Sequence, residues 1–182
     1  GVGFLGNYII KQLEKNHFTV IGTRTTSNSR FLFFDVSNLE NIEKVILNQK
    51  PDCIINCAAK IDVDFLENNS EIAYSTNSEG VQNLAKISEK YNTRLIHIST
   101  DSVFDGIRGF YNENDSPNPI NEYAKFKELG ECHIRNFHSN YVIIRTNFYG
   151  IHDKGNFLFN WIIDSLKSHN TITGFNDVIF SP

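Results

Sequence analysis

Tyr123 and Lys127 lie four residues apart in a stretch of helical pattern, so their side chains leave one helical face. A phenol with a pKa near ~10 is a poor acid or base at neutral pH unless a positive charge beside it stabilises the phenolate. Lys127 supplies that charge. The hydroxyl of Thr100, just past the apolar run Arg94-Leu95-Ile96-His97-Ile98, could bind the same carbonyl oxygen. Such a set suits proton transfer coupled to hydride transfer at an alcohol or ketone, and that chemistry requires a dinucleotide site.

Gly1, Gly3 and Gly6 have G-x-G-x-x-G spacing and open a helical pattern through Phe4 and Leu5. The first glycine permits a tight turn, the second close approach of a pyrophosphate, and the third close helix–sheet contact. Phosphate then meets a helix N-terminus. A glycine-tolerant turn with no ligand is the plainer alternative. An NAD site expects an acid about 20 residues on, but this region offers Arg24 and hydroxyls. Arg24 is therefore either a contact for the 2′-phosphate of NADP or a solvated arginine after a strand, and NADP is favoured over NAD. The small residues Cys57, Ala58 and Ala59 end another apolar run, leaving room for a cofactor or simply packing tightly. Asn77 either bonds a neighbouring loop or faces solvent. Asp62, Asp64 and Glu67 read as a solvated loop, with no metal expected.

These residues need a scaffold. Strand patterns occur at Phe18–Ile21, Phe31–Phe34, Cys53–Ala59, Arg94–Ile98 and Tyr141–Arg145. They alternate with helical patterns at Asn7–Lys15, Leu39–Asn48, Ser70–Tyr91, Glu122–Phe137 and Phe157–Leu166. Alternation of this kind predicts an α/β fold, a doubly wound parallel sheet with strands covered on both faces. Ligands then sit beyond the C-terminal strand ends. Residues 61–66 read as a loop, and residues 103–121 as a long functional loop rich in turn formers. The chain opens on a glycine turn with no strand before it and breaks off in an extended segment. It is expected to be the middle of a longer protein, lacking its first strand and most of a smaller C-terminal substrate domain. Residues 1–150 would form an incomplete Rossmann domain and 151–182 the start of a substrate-binding portion.

The 182 residues carry a formal net charge of -4, with 17 Lys+Arg spread along the chain, which argues against nucleic acid as a partner. No apolar run approaches the ~20 residues of a membrane span, so no membrane association is expected. Cys53, Cys57 and Cys132 lack metal-site spacing. Cys53 and Cys57 read as small buried hydrophobes, which suggests a reducing, cytoplasmic setting.

Taken together, several segments resemble the extended short-chain dehydrogenase/reductases, and within them the dTDP-4-dehydrorhamnose reductase-like, sugar-nucleotide-binding branch. They are Gly3-Phe4-Leu5-Gly6, Asp35-Val36, Pro51-Asp52 through Ala58-Ala59, Val63-Asp64, Asn77, Ser99-Thr100-Asp101 with Val103-Phe104-Asp105-Gly106, Tyr123-x-x-x-Lys127 with Gly130-Glu131, and Arg145-Thr146. The resemblance implies an NADPH-dependent reductase of a nucleotide-linked 4-keto sugar in dTDP-rhamnose or surface-polysaccharide synthesis, with NADH as the alternative cofactor. Tyr123 would protonate the C4 oxygen, Thr100 would bind it, and Lys127 would hold the nicotinamide ribose and lower the tyrosine pKa. Asp35 and Val36 would flank the adenine, Ala58 and Ala59 would pass beside the cofactor, and Asn77 would belong to the same site. Asp101, Ser102, Arg145 and Asn147 would meet the sugar nucleotide. Ser102 stands where the branch commonly has tyrosine, and Asn147 where a tryptophan-containing segment is usual. An epimerase or dehydratase, or a non-catalytic NADP-binding regulatory protein, are the other readings. A homodimer is left open for the complete protein.

Overall fold

The computed structural model describes residues 3–26, 30–147, 150 and 158–174. The chain divides into two compact units, Gly1–Arg145 and Thr146–Pro182. The first begins with α1 (Phe4–Lys15), β1 (Thr23–Arg24), β2 (Leu32–Phe33), α2 (Leu39–Gln49) and β3 (Cys53–Asn56). It continues with α3 (Val63–Asn68), α4 (Ser70–Tyr74), a π-helical turn (Ser75–Glu79), α5 (Gly80–Lys90) and β4 (Arg94–Ser99). A 3-10 turn (Asp101–Val103), α6 (Glu122–Phe137) and β5 (Tyr141–Arg145) complete it. The second unit contains α7 (Leu158–Lys167).

Every strand pairing is parallel, as βαβ connections require. β1 pairs with β2, while β3, β4 and β5 form a separate three-stranded sheet in that order. One face of this sheet carries the core. Ile42 and Ile46 of α2, Val81, Leu84, Ala85 and Ile87 of α5, and Ile134 of α6 close over Leu95 of β4, joined by Val36. Ile54, Tyr141 and Ile143 pack at its margin. The opposite face is less covered than the apolar runs suggest: Ile144 is exposed, and so is Cys53, contrary to its expected burial.

Three other differences have local causes. Residues 61–66 do not form a loop throughout, because Asp62 caps a helix there, its carboxylate accepting the Phe65 N–H at 3.1 Å, and Leu66 is fully buried. The run Phe18–Ile21 is not a strand. Phe18 N–H closes the end of α1 on the Leu13 carbonyl, and His17 adopts φ 64° in the left-handed region. Pairing starts only at Thr23. The helix expected over 70–91 is interrupted by the π turn, which points Asn77 and Ser78 inward. Phe157, the expected first residue of the last helix, lies outside the described residues, and α7 is described from Leu158.

Candidate active site

β4 and α6 build the centre of the site. Along β4, Leu95, His97 and Ser99 are the buried positions, two apart as the pleat dictates. On α6, Lys127 and Glu131 are buried one turn apart. Two strand residues span ~6.6 Å and four helical residues ~6 Å, so both side-chain pairs can close together. Asn121 starts α6 by accepting the Ala124 N–H at 2.8 Å, which sets Tyr123 in the first turn, above the end of β4.

Thr100 continues β4 in extended conformation. Its hydroxyl accepts the Ser102 N–H at 3.2 Å and donates to Asp101 Oδ1 at 3.2 Å. Tyr123 meets Thr100 through its phenol oxygen. Burial pushes the Tyr123 phenol above its ordinary value, and the Thr100 hydrogen bond opposes that rise. Lys127 is 2% exposed. Its Nζ donates to the Ile98 carbonyl at 2.7 Å and lies 3.3 Å from His97 Nε2. Burial pushes this amine down to about 8, with Glu131 and Cys57 acting in the other direction. The sequence reading assigns Lys127 to lowering the Tyr123 pKa; here the amine is engaged with the strand beneath.

Glu131, fully buried, is the hub below them. It accepts from Ser99 Oγ at 2.5 Å, from Arg135 Nη2 at 2.7 Å, and from Arg145 through Nη2 at 2.7 Å and Nε at 3.1 Å. Burial alone would raise its pKa, but the hydrogen bonds from Arg145, Ser99 and Arg135 outweigh it and hold the carboxyl below the ordinary range. Arg145, expected to meet substrate, commits this side of its guanidinium to Glu131 and sits 4.9 Å over the Phe104 ring. Only its Nη1 is left without a hydrogen-bond partner.

The end of β3 forms the facing wall. Asn56 is buried, accepting the Ala58 N–H at 3.0 Å and setting Nδ2 3.0 Å from His97 Nδ1. Asn77 turns both ends of its amide on Lys60, taking its N–H at 2.9 Å and giving to its carbonyl at 2.8 Å. It thereby pins the turn that carries Cys57, Ala58 and Ala59, the loop-bonding alternative of the two left open by the sequence. Burial pushes the Cys57 thiol up, and Lys127 opposes it.

Gly3 and Arg24 stand outside this hydrogen-bonded cluster. Gly3 caps α1 with no side chain over the first turn, that turn has no acidic residue, and among the described residues nothing lies within 4 Å of where a Cβ would sit. Phe4 and Leu5 occupy the first turn, and Gly6 is buried. Arg24 ends β1 with its Nε buried and without a hydrogen-bond partner. Asp35 accepts the Ser37 N–H at 3.0 Å and its hydroxyl at 2.7 Å, while the Val36 side chain packs against Gly80. Ser102 donates to Asp101 at 3.4 Å. Asn147 belongs to the second unit, where its carbonyl accepts from Thr146 at 3.0 Å. Gly1 lies outside the described residues. Asn56, His97 and Glu131 escaped the search for reactive residues, although for Asn56 and His97 a polar side chain inside a buried strand pattern is itself a signal.

The family model described as RmlD substrate binding domain matches residues 1–182. The chain belongs to the RmlD substrate-binding-domain family. The expected likeness to the rhamnose-reductase branch of the extended short-chain dehydrogenase/reductases is borne out, as is the α/β Rossmann fold. A Haloferax volcanii protein named as a probable low-salt glycan biosynthesis reductase is 32% identical over 99% of this chain and 63% of its own length. The methionine adenosyltransferase 2 subunit beta of Xenopus tropicalis is 32% identical over 79% of this chain and 43% of its own. The crystal structure of dTDP-4-dehydrorhamnose reductase from Bacillus anthracis in complex with NADP superimposes with a TM-score of 0.69 at 36% identity, over 74% of this chain and 48% of that one. This RmlD-family chain therefore spans from under half to just under two thirds of these relatives. Among the described residues, no helix is long and apolar enough to cross a membrane.

Proposed function

We propose that this protein is an NADPH-dependent reductase of a nucleotide-linked 4-keto sugar, of the dTDP-4-dehydrorhamnose reductase kind, serving glycan or surface-polysaccharide synthesis. The observation that carries this reading is the grouping of Thr100, Tyr123 and Lys127 at the end of β4, in a chain of the RmlD family.

The residues present fit a phosphorylated dinucleotide. The open glycine at the start of α1 leaves a helix N-terminus clear for pyrophosphate. The buried, unpartnered Nε of Arg24 suits an anionic oxygen such as the 2′-phosphate of NADP. Cys57, Ala58 and Ala59 would border the cofactor, with their turn held by Asn77. The nicotinamide, when bound, supplies the hydride.

The chain's own groups do the rest. The Thr100 hydroxyl binds the carbonyl oxygen of the sugar. The Tyr123 hydroxyl gives that oxygen its proton, so the ketone ends as an alcohol and the tyrosine as a phenolate. The raised Tyr123 pKa keeps the phenol protonated before the reaction, which suits an acid. Lys127, charged, offsets the phenolate and holds the ribose. Asp101 and Ser102, beside Thr100, would meet the sugar.

A second reading is favoured by the Xenopus relative, whose name makes it a subunit of another enzyme: nucleotide binding without turnover. NADPH oxidation followed spectrophotometrically against 4-keto nucleotide sugars separates the two. Tyr123→Phe is expected to lower kcat by ~10²-fold or more while leaving the NADPH Kd within about twofold. Unchanged turnover in Tyr123→Phe would refute the catalytic assignment. NADPH binding with no oxidation against any such sugar would favour the second reading.

A further inference from the structure

Two anchors bracket Thr100, and both lead to the same buried ion pair. Ser99, the residue before it, donates its hydroxyl to Glu131. Phe104, four residues after it, lies under the Arg145 guanidinium, whose central carbon is 4.9 Å from the ring centroid. Arg145, at the end of β5, donates in turn to Glu131 through Nε and Nη2. These two engagements of Arg145 do not compete, because a guanidinium donates in its plane and stacks with its face. Bonds within the bracketed stretch carry the anchoring inward. The Phe104 N–H donates to the Asp101 carbonyl at 3.0 Å, and the Ser102 N–H to the Thr100 hydroxyl at 3.2 Å. A circuit therefore closes from Glu131 through Ser99, the turn after Thr100, Phe104 and Arg145 back to Glu131.

The other face of the Phe104 ring is occupied as well. Tyr111 stacks on it with centroids 4.4 Å apart and planes 6° from parallel, and the Arg108 guanidinium lies 5.0 Å over the Tyr111 ring. Each ring gives one face to the other, so the cations take the outer faces, in the order Arg145, Phe104, Tyr111, Arg108. Asp115 holds Arg108 at 2.6 Å. Asp105 accepts from the Tyr111 hydroxyl, from Asn118 Nδ2 at 2.9 Å and from the Ile107 N–H at 3.0 Å. The Asn118 N–H closes the base of the loop on the Val103 carbonyl at 2.8 Å. Residues 103–118 thus form a loop packed by its own side chains, and its stack ends against a cation of β5.

We propose that Arg145 is a positioning residue for Thr100. Acting through Phe104, it holds the turn after Thr100, and the loop that follows, in place before any ligand binds. The inference rests on reading Thr100 as the hydroxyl that binds the reacting carbonyl. It differs from the contact with the sugar nucleotide that the family resemblance implies for Arg145, because it operates in the empty protein.

Amide hydrogen exchange of the full chain without nucleotide reads this turn directly. Phe104→Leu removes the ring and leaves the Arg145–Glu131 pair. It should speed exchange at Ser102 and at position 104 by about tenfold or more, the scale of one cation–π contact and one aromatic pair. The Lys60 amide, held by Asn77 on the facing wall, should keep its rate within about twofold. Phe104→Tyr keeps the ring face and should exchange like wild type. Arg145→Lys keeps the charge without the plane and should speed the same amides. Combined with Phe104→Leu, its effect should fall well short of the product of the two single effects, since their shared contact is lost only once. With NADPH and a 4-keto nucleotide sugar, kcat should drop at least about tenfold in Phe104→Leu and recover in Phe104→Tyr, the NADPH Kd holding within about twofold. Unchanged exchange at Ser102 in Phe104→Leu would overturn the proposal, even if Arg145→Lys fails to fold. So would a double variant equal to the product of the singles, or a wild-type kcat in Phe104→Leu once exchange has risen. A wild type that turns over no such sugar would refute the reductase reading alone, and exchange would still decide whether Arg145 holds the turn.

Discussion

Replacing Glu131 by glutamine removes one negative charge from the only place among the described residues where α6, β4 and β5 are tied by a shared carboxylate. Three donors converge on it, and they are not equivalent. Arg135 has a side chain 39% exposed, so its pair contributes under ~1 kcal/mol. Arg145 is 14% exposed and Glu131 0%, which makes theirs a buried pair. Breaking such a pair from one side costs ~3–5 kcal/mol, because the remaining charge is left uncompensated. Glutamine keeps one acceptor oxygen, so the lower end, about 3 kcal/mol, is expected. Against a total stability of ~5–15 kcal/mol this is a large fraction. The urea midpoint, followed by circular dichroism, should fall with an unchanged slope. The thermal midpoint should fall by roughly 6–12 °C, at ~2–4 °C per kcal/mol for a chain of this size. Replacing both partners, Glu131→Met with Arg145→Met, should recover much of the loss, since no charge is then stranded. A single-variant loss below ~1 kcal/mol, or a double variant less stable than the single, would refute the account. The pH dependence has a definite sign. Glu131 is depressed in the folded chain, so its contribution is complete above the ordinary glutamate value and is lost as pH falls through the lower folded one.

Lys127 gives a slope of the same sign in a higher pH window, because its buried charge is a penalty that deprotonation removes. With its amine at about 8 when folded and 10.5 ordinarily, the unfolded chain binds more protons between those values, so stability rises with pH across that window. Lys127→Met should therefore be more stable than wild type at pH 7, by up to about 3 kcal/mol, with the advantage fading by pH 10 in parallel melts; an advantage that grows with pH would contradict it. Gly130 is a matter of space. A Cβ there would lie 2.5 Å from the Asn77 carbonyl oxygen, so Gly130→Ala should cost ~1–3 kcal/mol. It should also speed amide exchange at Lys60, whose N–H is held by Asn77; unchanged exchange would mean that α6 and the π turn separate without disturbing the β3 turn.

The alternation of elements and the bounds of α6 were legible because periodicity and an Asn cap agree there. The Tyr123–Lys127 spacing was legible for the same reason. Helix ends were less so. α1, α5 and α7 end on His17, Asn92 and His169 in the left-handed region, where glycine would have signalled the stop. The strand pattern at Phe18–Ile21 failed because pairing is a property of neighbours, and Phe18 is used to close α1. The π turn was invisible because the contact it carries, the clasp of Asn77 on Lys60, joins residues 17 positions apart. At the site, the sequence named Thr100, Tyr123 and Lys127 and passed over His97 and Glu131, which surround the Lys127 amine. Glu131 reads locally as one more surface acid on a helix, and only its partners on β4 and β5 make it a buried anion.

That buried anion also bears on how the chain assembles. α6 carries an amine and a carboxylate on the face it hides, and within the helix the carboxylate has only the exposed Arg135 to pair with. Docking of α6 onto β4 before β5 arrives would bury Glu131 without Arg145, an intermediate penalised by several kcal/mol. The closing of β5 and the seating of α6 are therefore energetically coupled. The residues that surround Lys127 are thus the same ones that tie α6 to β4 and β5.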